Sequence, residues 1–341
     1  MRAMELRGVC DLSVCREPLA AAERPVPRPG PGEVLIRVSA CGVCHTELDE
    51  IEGRTPPPLY PVIPGHQAVG TVVESGPGDG MPGPGTTAGV GWFFSSCGRC
   101  RFCASGLENL CADFRATGRD ADGGYAEYLV VPGTSAARIP DGLDPVLAAP
   151  MLCAGAVGSR ALRLAGIRDG MRLGLTGFGA SGHLMLALSR HLHPSTPVYV
   201  FARSPQEREF ARSLGAAWAG DTQDRSPEPL DAVIDTTPAW RPVVEALANL
   251  APGGRLVVNA IRKEPGDRDE LLRLDYARHL WMEREVRSVA NVCRSDIRDF
   301  LTIAAEAGIR PAVETLPLSG ANEALLRVKA GGLRGALVLV P

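Results

Sequence analysis

Gly170-Met171-Arg172-Leu173-Gly174-Leu175-Thr176-Gly177-Phe178-Gly179-Ala180-Ser181-Gly182 is the stretch that decides the fold. Its first part, 170–176, is a short apolar run that reads as a buried strand. Its second part has the form G-x-G-x-x-G, and residues 183–193 then continue as a helix. Glycines at that spacing allow a tight turn, close approach of a pyrophosphate, and close packing of helix on strand. The helix N-terminus adds backbone N–H groups that face the phosphates. Gly177, Gly179 and Gly182, with Ala180 and Ser181 between them, are therefore the candidates for binding a dinucleotide. The motif is weak by itself, and its weight comes from the strand–turn–helix context.

Downstream the same alternation continues. Strands are expected over 197–202, 231–236, 255–260 and 285–289, with helices over 205–214 and 240–250 and a helical stretch after 260. That order is the pattern of a doubly wound parallel sheet. The second strand ends in Phe201-Ala202-Arg203-Ser204. An acidic residue there would bond the ribose 2′-OH of NAD, and none is present. Arg203 and Ser204 can instead hold a 2′-phosphate, which favours NADP(H) over NAD(H).

Upstream the reading changes to β-rich. Strands are expected over 33–38 and 68–73, a Gly/Pro-rich surface loop over 76–89, and a turn and strand over 122–131. A helical segment carrying Cys153 is expected after residue 143. At 341 residues, two domains are the prior, and 45% hydrophobic against 22% charged residues supports packed cores rather than disorder. A net charge of −3 gives no reason to expect nucleic acid or an anionic membrane as partner. The N-terminus has charges early and no apolar h-region, so a cytoplasmic protein is expected, with its ten cysteines reduced.

Under reducing conditions clustered cysteines point to metal. Cys97, Cys100, Cys103 and Cys111 follow one another as C-x₂-C-x₂-C-x₇-C. Four thiolates at that density suit a closed tetrahedral zinc site in a small lobe at about 92–115, and an iron–sulfur cluster is the minority reading. A second set is more dispersed: Cys44 in Cys41-Gly42-Val43-Cys44-His45-Thr46-Glu47-Leu48-Asp49, His66 in Gly65-His66-Gln67, and Cys153. Two thiolates and one imidazole leave a fourth zinc position open, as a Lewis-acid catalyst needs. Cys41 competes with Cys44, but only Cys44 has a hydroxyl two residues on, Thr46. Cys10 and Cys15 fit no zinc pattern and read as ordinary thiols.

With both cysteine sets and the glycine loop, the chain resembles the zinc-containing alcohol dehydrogenases of the medium-chain dehydrogenase/reductase family over essentially its whole length. The resemblance implies an α/β protein with a GroES-like β-rich catalytic domain over 1–148, including the structural-zinc lobe. A Rossmann domain over 149–290 follows, and 291–341 returns to the first domain. It implies an active site in the cleft between the domains, two zincs per chain, a small alcohol or carbonyl substrate, and a homodimer or homotetramer. Residue by residue, Cys44, His66 and Cys153 match the catalytic zinc ligands, and Thr46 matches the hydroxyl that bonds the substrate oxygen. His45 falls where a basic residue faces the pyrophosphate, Glu47 on the acid behind the zinc site, and Trp92 and Phe93 on the aromatic pocket wall.

Two positions depart from the pattern. The family usually reads Gly-His-Glu where this chain has Gln67. Many members end their proton relay in a histidine where this chain has Asp49, which becomes the candidate for the outer end. The expected activity is hydride transfer between NADP(H) and an alcohol, aldehyde or ketone. Reduction of a conjugated C=C or C=N bond is the enzymatic alternative, and a non-catalytic zinc and nucleotide binder is the alternative of another class.

Overall fold

The computed structural model describes every residue from Met1 to Pro341. The chain opens with an antiparallel pair, β1 (Arg2–Leu6) and β2 (Leu19–Glu23). The expected strand at 33–38 is longer than its apolar run suggested. It continues as β3 (Glu33–Val43), because Ala40, Cys41 and Val43 stay in the core. The strand stops at Cys44, where the helix α1 (His45–Ile51) begins.

β4 (Ala68–Ser75) pairs antiparallel with β3, and β5 (Thr87–Val90) pairs with β4. The surface loop expected over 76–89 therefore ends early: Thr87, Ala88 and Gly89 belong to β5, with Ala88 and Val90 in the core. A short ribbon, β6 (Phe93–Ser95) with β7 (Arg115–Ala116), flanks the lobe that contains α2 (Arg101–Ala104). Next come β8 (Tyr128–Pro132), paired with β3, and β9 (Ala136–Arg138), paired with β5.

The helical segment expected to carry Cys153 is broken at that residue. α3 (Pro145–Ala148) starts at an Asp144 cap and passes into a 3₁₀ turn over Ala149–Leu152. Cys153 has φ −126° and ψ −75°, outside the helical region, and α4 (Ala154–Ala165) begins after it. Pro150 lies in the turn just before the break, where its ring and missing N–H oppose a continuous α-helix.

The chain divides into two units. One is Met1–Ala156 with Val292–Glu306 and Arg310–Pro341; the other is Val157–Asn291 with Ala307–Ile309. The division falls inside α4, not at 148/149, which leaves Cys153 in the first unit.

In the second unit, β10 (Leu173–Thr176), α5 (Ala180–Leu192), β11 (Val198–Phe201) and α6 (Pro205–Ser213) follow in alternation. β12 (Trp218–Gly220), absent from the sequence reading, comes next, then β13 (Leu230–Asp235), α7 (Arg241–Asn249), β14 (Leu250–Val258) and β15 (Glu285–Ser288). The six strands pair in the order β12-β11-β10-β13-β14-β15, all parallel. That is the Rossmann order, with the strand sequence reversing direction at β10. Between β14 and β15 the expected helical stretch is a 3₁₀ segment, Pro265–Arg273, and a single π turn, Tyr276–Leu280.

The C-terminal part supplies α8 (Arg294–Glu306), β16 (Val313–Pro317), α9 (Ala321–Ala330) and β17 (Ala336–Val340). β17 pairs with β3, placing Leu337, Val338 and Leu339 opposite Val43, Gly42 and Cys41. The return to the first domain is thus a strand pairing, and the sheet runs β16-β17-β3-β4-β5-β9 with β8 on β3.

Gly70 shows how tightly β3 and β4 are joined. A Cβ there would lie 2.1 Å from the Arg37 carbonyl oxygen, a backbone atom that cannot swing away. Gly70→Ala should destabilise the first unit by about 1–3 kcal/mol, the usual range for overpacking. Denaturant unfolding of the variant against the native chain measures this directly.

Candidate functional site

β3 delivers Cys44 to the N-cap of α1, with φ −132° and ψ 164°. Glu47, at the third helical position, reaches back so that its Oε2 accepts a hydrogen bond from the Cys44 backbone N–H at 2.9 Å. That is half of a capping box, and it fixes the direction in which the helix leaves the strand. Glu47 is fully buried, and its other oxygen lies 2.7 Å from Nδ1 of His66. Thr46 is buried beside the ligand, its Oγ1 3.6 Å from the Cys44 Sγ. His45, the first residue of α1, is exposed.

His66 is presented by Gly65, which needs its hydrogen side chain on two counts. Its φ is +99°, and a Cβ would sit 2.3 Å from the Tyr125 ring. The third member, Cys153, arrives from the helix break. The ligand atoms of Cys44, His66 and Cys153 all lie within 4.8 Å of one another. The His66 Nε2 is buried and has no hydrogen-bond partner in the protein. Such an atom calls for a ligand, and a donor set of two thiols and one imidazole suits zinc.

The electrostatics agree. Contact with Cys153 holds the Cys44 thiol well below its ordinary pKa, aided by His66 against the effect of burial. Cys153 is pushed well above, by the Cys44 contact and then by burial. Of the two, Cys44 is therefore the more readily ionised, and a cation would favour the thiolate form of both. His66 is raised well above the ordinary imidazole value: burial lowers it, and Glu47 and Cys44 outweigh burial.

The second cysteine set also converges, with the Cys97, Cys100, Cys103 and Cys111 sulfurs within 4.8 Å of one another. Backbone N–H groups of Arg99 and Cys100 lower the Cys97 thiol to about 6, which prepares it as a ligand. The lobe is tied down by Arg294, whose Nε donates to Glu108 Oε1 at 2.9 Å. All four positions are filled by protein, the mark of a structural site.

In the second unit the glycine loop joins β10 to α5. Gly177 has φ +81°, and a Cβ there would meet the Thr236 hydroxyl at 2.7 Å. A Cβ on Gly182 would meet the Gly177 carbonyl oxygen at 2.8 Å, so this glycine permits the close helix–strand packing. Nothing lies within 4 Å of a Cβ built on Gly179, and no side chain caps the start of α5. Ala180 and Ser181 therefore begin a helix whose end is open to an anion. Arg203 is exposed at the end of β11, and Ser204 caps α6.

Three features escaped the sequence reading. Arg208 Nη1 donates to the Ala202 and Arg203 carbonyls at 2.7 and 2.9 Å, fixing the turn that presents Arg203. Lys263 is ion-paired with buried Asp235 and bonds the Thr237 and Ala239 carbonyls at 2.8 and 3.0 Å, which closes the turn after β13. Glu50, one helical turn beyond Thr46, is buried; its spacing of four from Thr46 was the available signal. Asp49 is 1% exposed, and its Oδ1 accepts from Arg54 Nε at 2.6 Å.

Comparison with known proteins agrees with this geometry. Residues 30–141 match the model of the alcohol dehydrogenase GroES-like domain. The chain is 40% identical over 328 residues to a protein described as "Probable alcohol dehydrogenase AdhA" from Mycobacterium tuberculosis (strain CDC 1551 / Oshkosh), covering 95% of this chain and 93% of that protein. It is 34% identical to an alcohol dehydrogenase of Geobacillus stearothermophilus over 90% of this chain and 91% of that one. Among solved structures it matches the cobalt- and zinc-bound thermostable alcohol dehydrogenase from Pyrobaculum aerophilum with a TM-score of 0.87 at 28% identity, covering 100% of this chain and 99% of that one. A GroES-like region, a Rossmann sheet, two convergent cysteine sets and relatives of this kind over nearly the whole length establish that the chain belongs to the zinc-containing alcohol dehydrogenases of the medium-chain dehydrogenase/reductase family.

Proposed function

We propose that the chain transfers a hydride between NADP(H) and a small alcohol, aldehyde or ketone, with one zinc held by Cys44, His66 and Cys153 and a second by Cys97, Cys100, Cys103 and Cys111. The observation that carries this reading is the three-ligand set with Thr46 beside it, its hydroxyl 3.6 Å from the Cys44 sulfur. When bound, the metal would supply Lewis acidity at the substrate oxygen and the nicotinamide would supply or accept the hydride.

The chain's own residues account for the rest. Glu47 orients the His66 ring so that its Nε2 faces the two sulfurs. The Thr46 hydroxyl holds the substrate oxygen and carries its proton. Asp49, three residues on along α1, is the outer end of that proton path in this reading, and Arg54 fixes its carboxylate. Trp92 and Phe93 form an aromatic wall. Gly177, Gly179, Ala180, Ser181 and Gly182 cradle the pyrophosphate with help from His45, and Arg203 and Ser204 take the 2′-phosphate.

Two further expectations have support. Leu272 and Tyr276, in the segments that precede β15, Trp281 and Met282, in the turn that leads to it, and Val286, on the edge strand itself, are exposed apolar residues suited to a homodimer or homotetramer contact. All ten cysteines are free thiols, which suits the reducing cytoplasm. No single helix is long and apolar enough to cross a membrane.

Elemental analysis should find two zincs per chain. Cys44→Ala should retain one and lose turnover with the fold intact, whereas Cys103→Ala should unfold the lobe. A single zinc, with the four-cysteine cluster empty, overturns the structural assignment.

NADPH should bind more tightly than NADH by roughly ten- to a hundred-fold, the worth of a charge-assisted phosphate contact. Arg203→Ala should remove most of that ratio. Equal dissociation constants for the two cofactors in the native chain refute the preference.

Thr46→Val should lower turnover by about 10²–10⁴, the usual contribution of a placed proton-transfer group, without changing zinc content. Asp49→Asn should change the pH–rate profile in the oxidation direction; an unchanged profile removes Asp49 from the path. Full carbonyl reduction by Thr46→Val would shift the reading to a C=C or C=N reductase, which product analysis of a conjugated enal identifies.

A further inference from the structure

Glu50 is a carboxyl-bearing residue that the proposed mechanism leaves without a task. It is 1% exposed, yet only one protein group bonds to it: Trp92 Nε1 donates to its Oε1 at 3.5 Å. A carboxyl bonded at one oxygen and nearly withdrawn from solvent leaves its other oxygen available to a bound group.

Its position supplies one. Thr46 and Glu50 are four residues apart on α1 and so share a face of the helix, separated by roughly 6 Å along its axis. Trp92, the bond donor, is half-buried and held from its other sides: the Phe114 ring lies 5.2 Å away and the Arg119 guanidinium 5.5 Å from its centroid. The indole and the carboxyl thus form one packed polar pair, on the same face of α1 as Thr46.

We propose that Glu50 is a specificity-determining residue whose second carboxyl oxygen bonds a hydroxyl of the substrate, so that the chain prefers alcohols and aldehydes bearing a second hydroxyl in a 1,4-relationship. The inference rests on the alcohol dehydrogenase reading given above and deepens it. The rise of roughly 6 Å between the two positions along the helix axis is of the order of the spacing between two oxygens at the ends of a four-carbon chain. Burial, and then the charge of Glu47, push the Glu50 carboxyl well above its ordinary pKa; His66, Trp92 and Arg119 oppose this. A carboxyl oxygen can bond a substrate hydroxyl, whereas a plain hydrocarbon tail offers it nothing. Sites that bond a substrate hydroxyl discriminate strongly against analogues lacking it.

The test compares 1,4-butanediol with 1-butanol, using the zinc-loaded protein with NADP⁺ and, separately, NAD⁺. The diol should have the higher kcat/KM by at least about ten-fold, mainly through KM. Glu50→Leu should bring the ratio close to one, and Glu50→Gln, which keeps hydrogen-bonding capacity, should retain part of it. Zinc content of each variant shows whether the metal site survives. A native ratio near one overturns the proposal without needing any variant. A ratio that persists in Glu50→Leu, with both substrates slowed alike, reduces Glu50 to a support for Trp92 and also overturns it. If the native protein oxidises neither these nor any other alcohol, the underlying reading fails, and that outcome is distinct from the other two.

Discussion

One buried acidic side chain ties two of the three candidate metal ligands together. Glu47 accepts from the Cys44 backbone N–H with one oxygen and faces His66 Nδ1 with the other, at 2.9 and 2.7 Å. Cys44 ends the longest strand of the first unit, and His66 precedes the strand paired with it. Without that link, the imidazole could turn its other nitrogen toward the sulfurs, and α1 could leave β3 at another angle. Both the ligand geometry and the placement of Thr46 follow from it.

The strand that leads to Cys44 is itself over-determined. β3 is bonded to β4, β8 and β17 along different parts of its length. β17 comes from the last residues of the chain, so the C-terminus helps set where Cys41, Gly42 and Val43 lie. This explains why a segment too short for its own core is nevertheless integral to the first unit.

The doubly wound sheet and the four-cysteine set were legible because their signals are local: the glycine loop between an apolar run and a helix, and thiols at close spacing. What stayed hidden depends on contacts between distant segments. β12 is three residues long, and Trp218 in it packs against Phe201 of the neighbouring strand, its rings 5.1 Å apart. β16 has three exposed or half-exposed positions at its start and is defined by pairing with β17. The break at Cys153 could have been read from Pro150, three residues before it, although the segment was expected to stay helical through Cys153. Asp49 was equally illegible: its residue type permitted a proton relay, and only the fold shows it buried against Arg54.

Gln67 and Glu50 together describe how this centre distributes charge. Gln67 is buried, and its Oε1 lies 2.8 Å from where a Cβ on Gly42 would stand, so the amide is packed directly onto β3. A carboxylate at that point would add a second negative group beside Glu47 in a buried shell, which opposes ionisation of both. The same repulsion, on top of burial, raises Glu50. The shell therefore concentrates its negative field on His66 through Glu47 alone. Its remaining polar groups are the Gln67 amide and the Glu50 carboxyl, whose ionisation burial and Glu47 oppose. A second carboxylate behind the imidazole would act on the metal ligands. In this chain position 67, behind His66, carries an amide, and the additional buried acid, Glu50, stands on the edge beside Trp92.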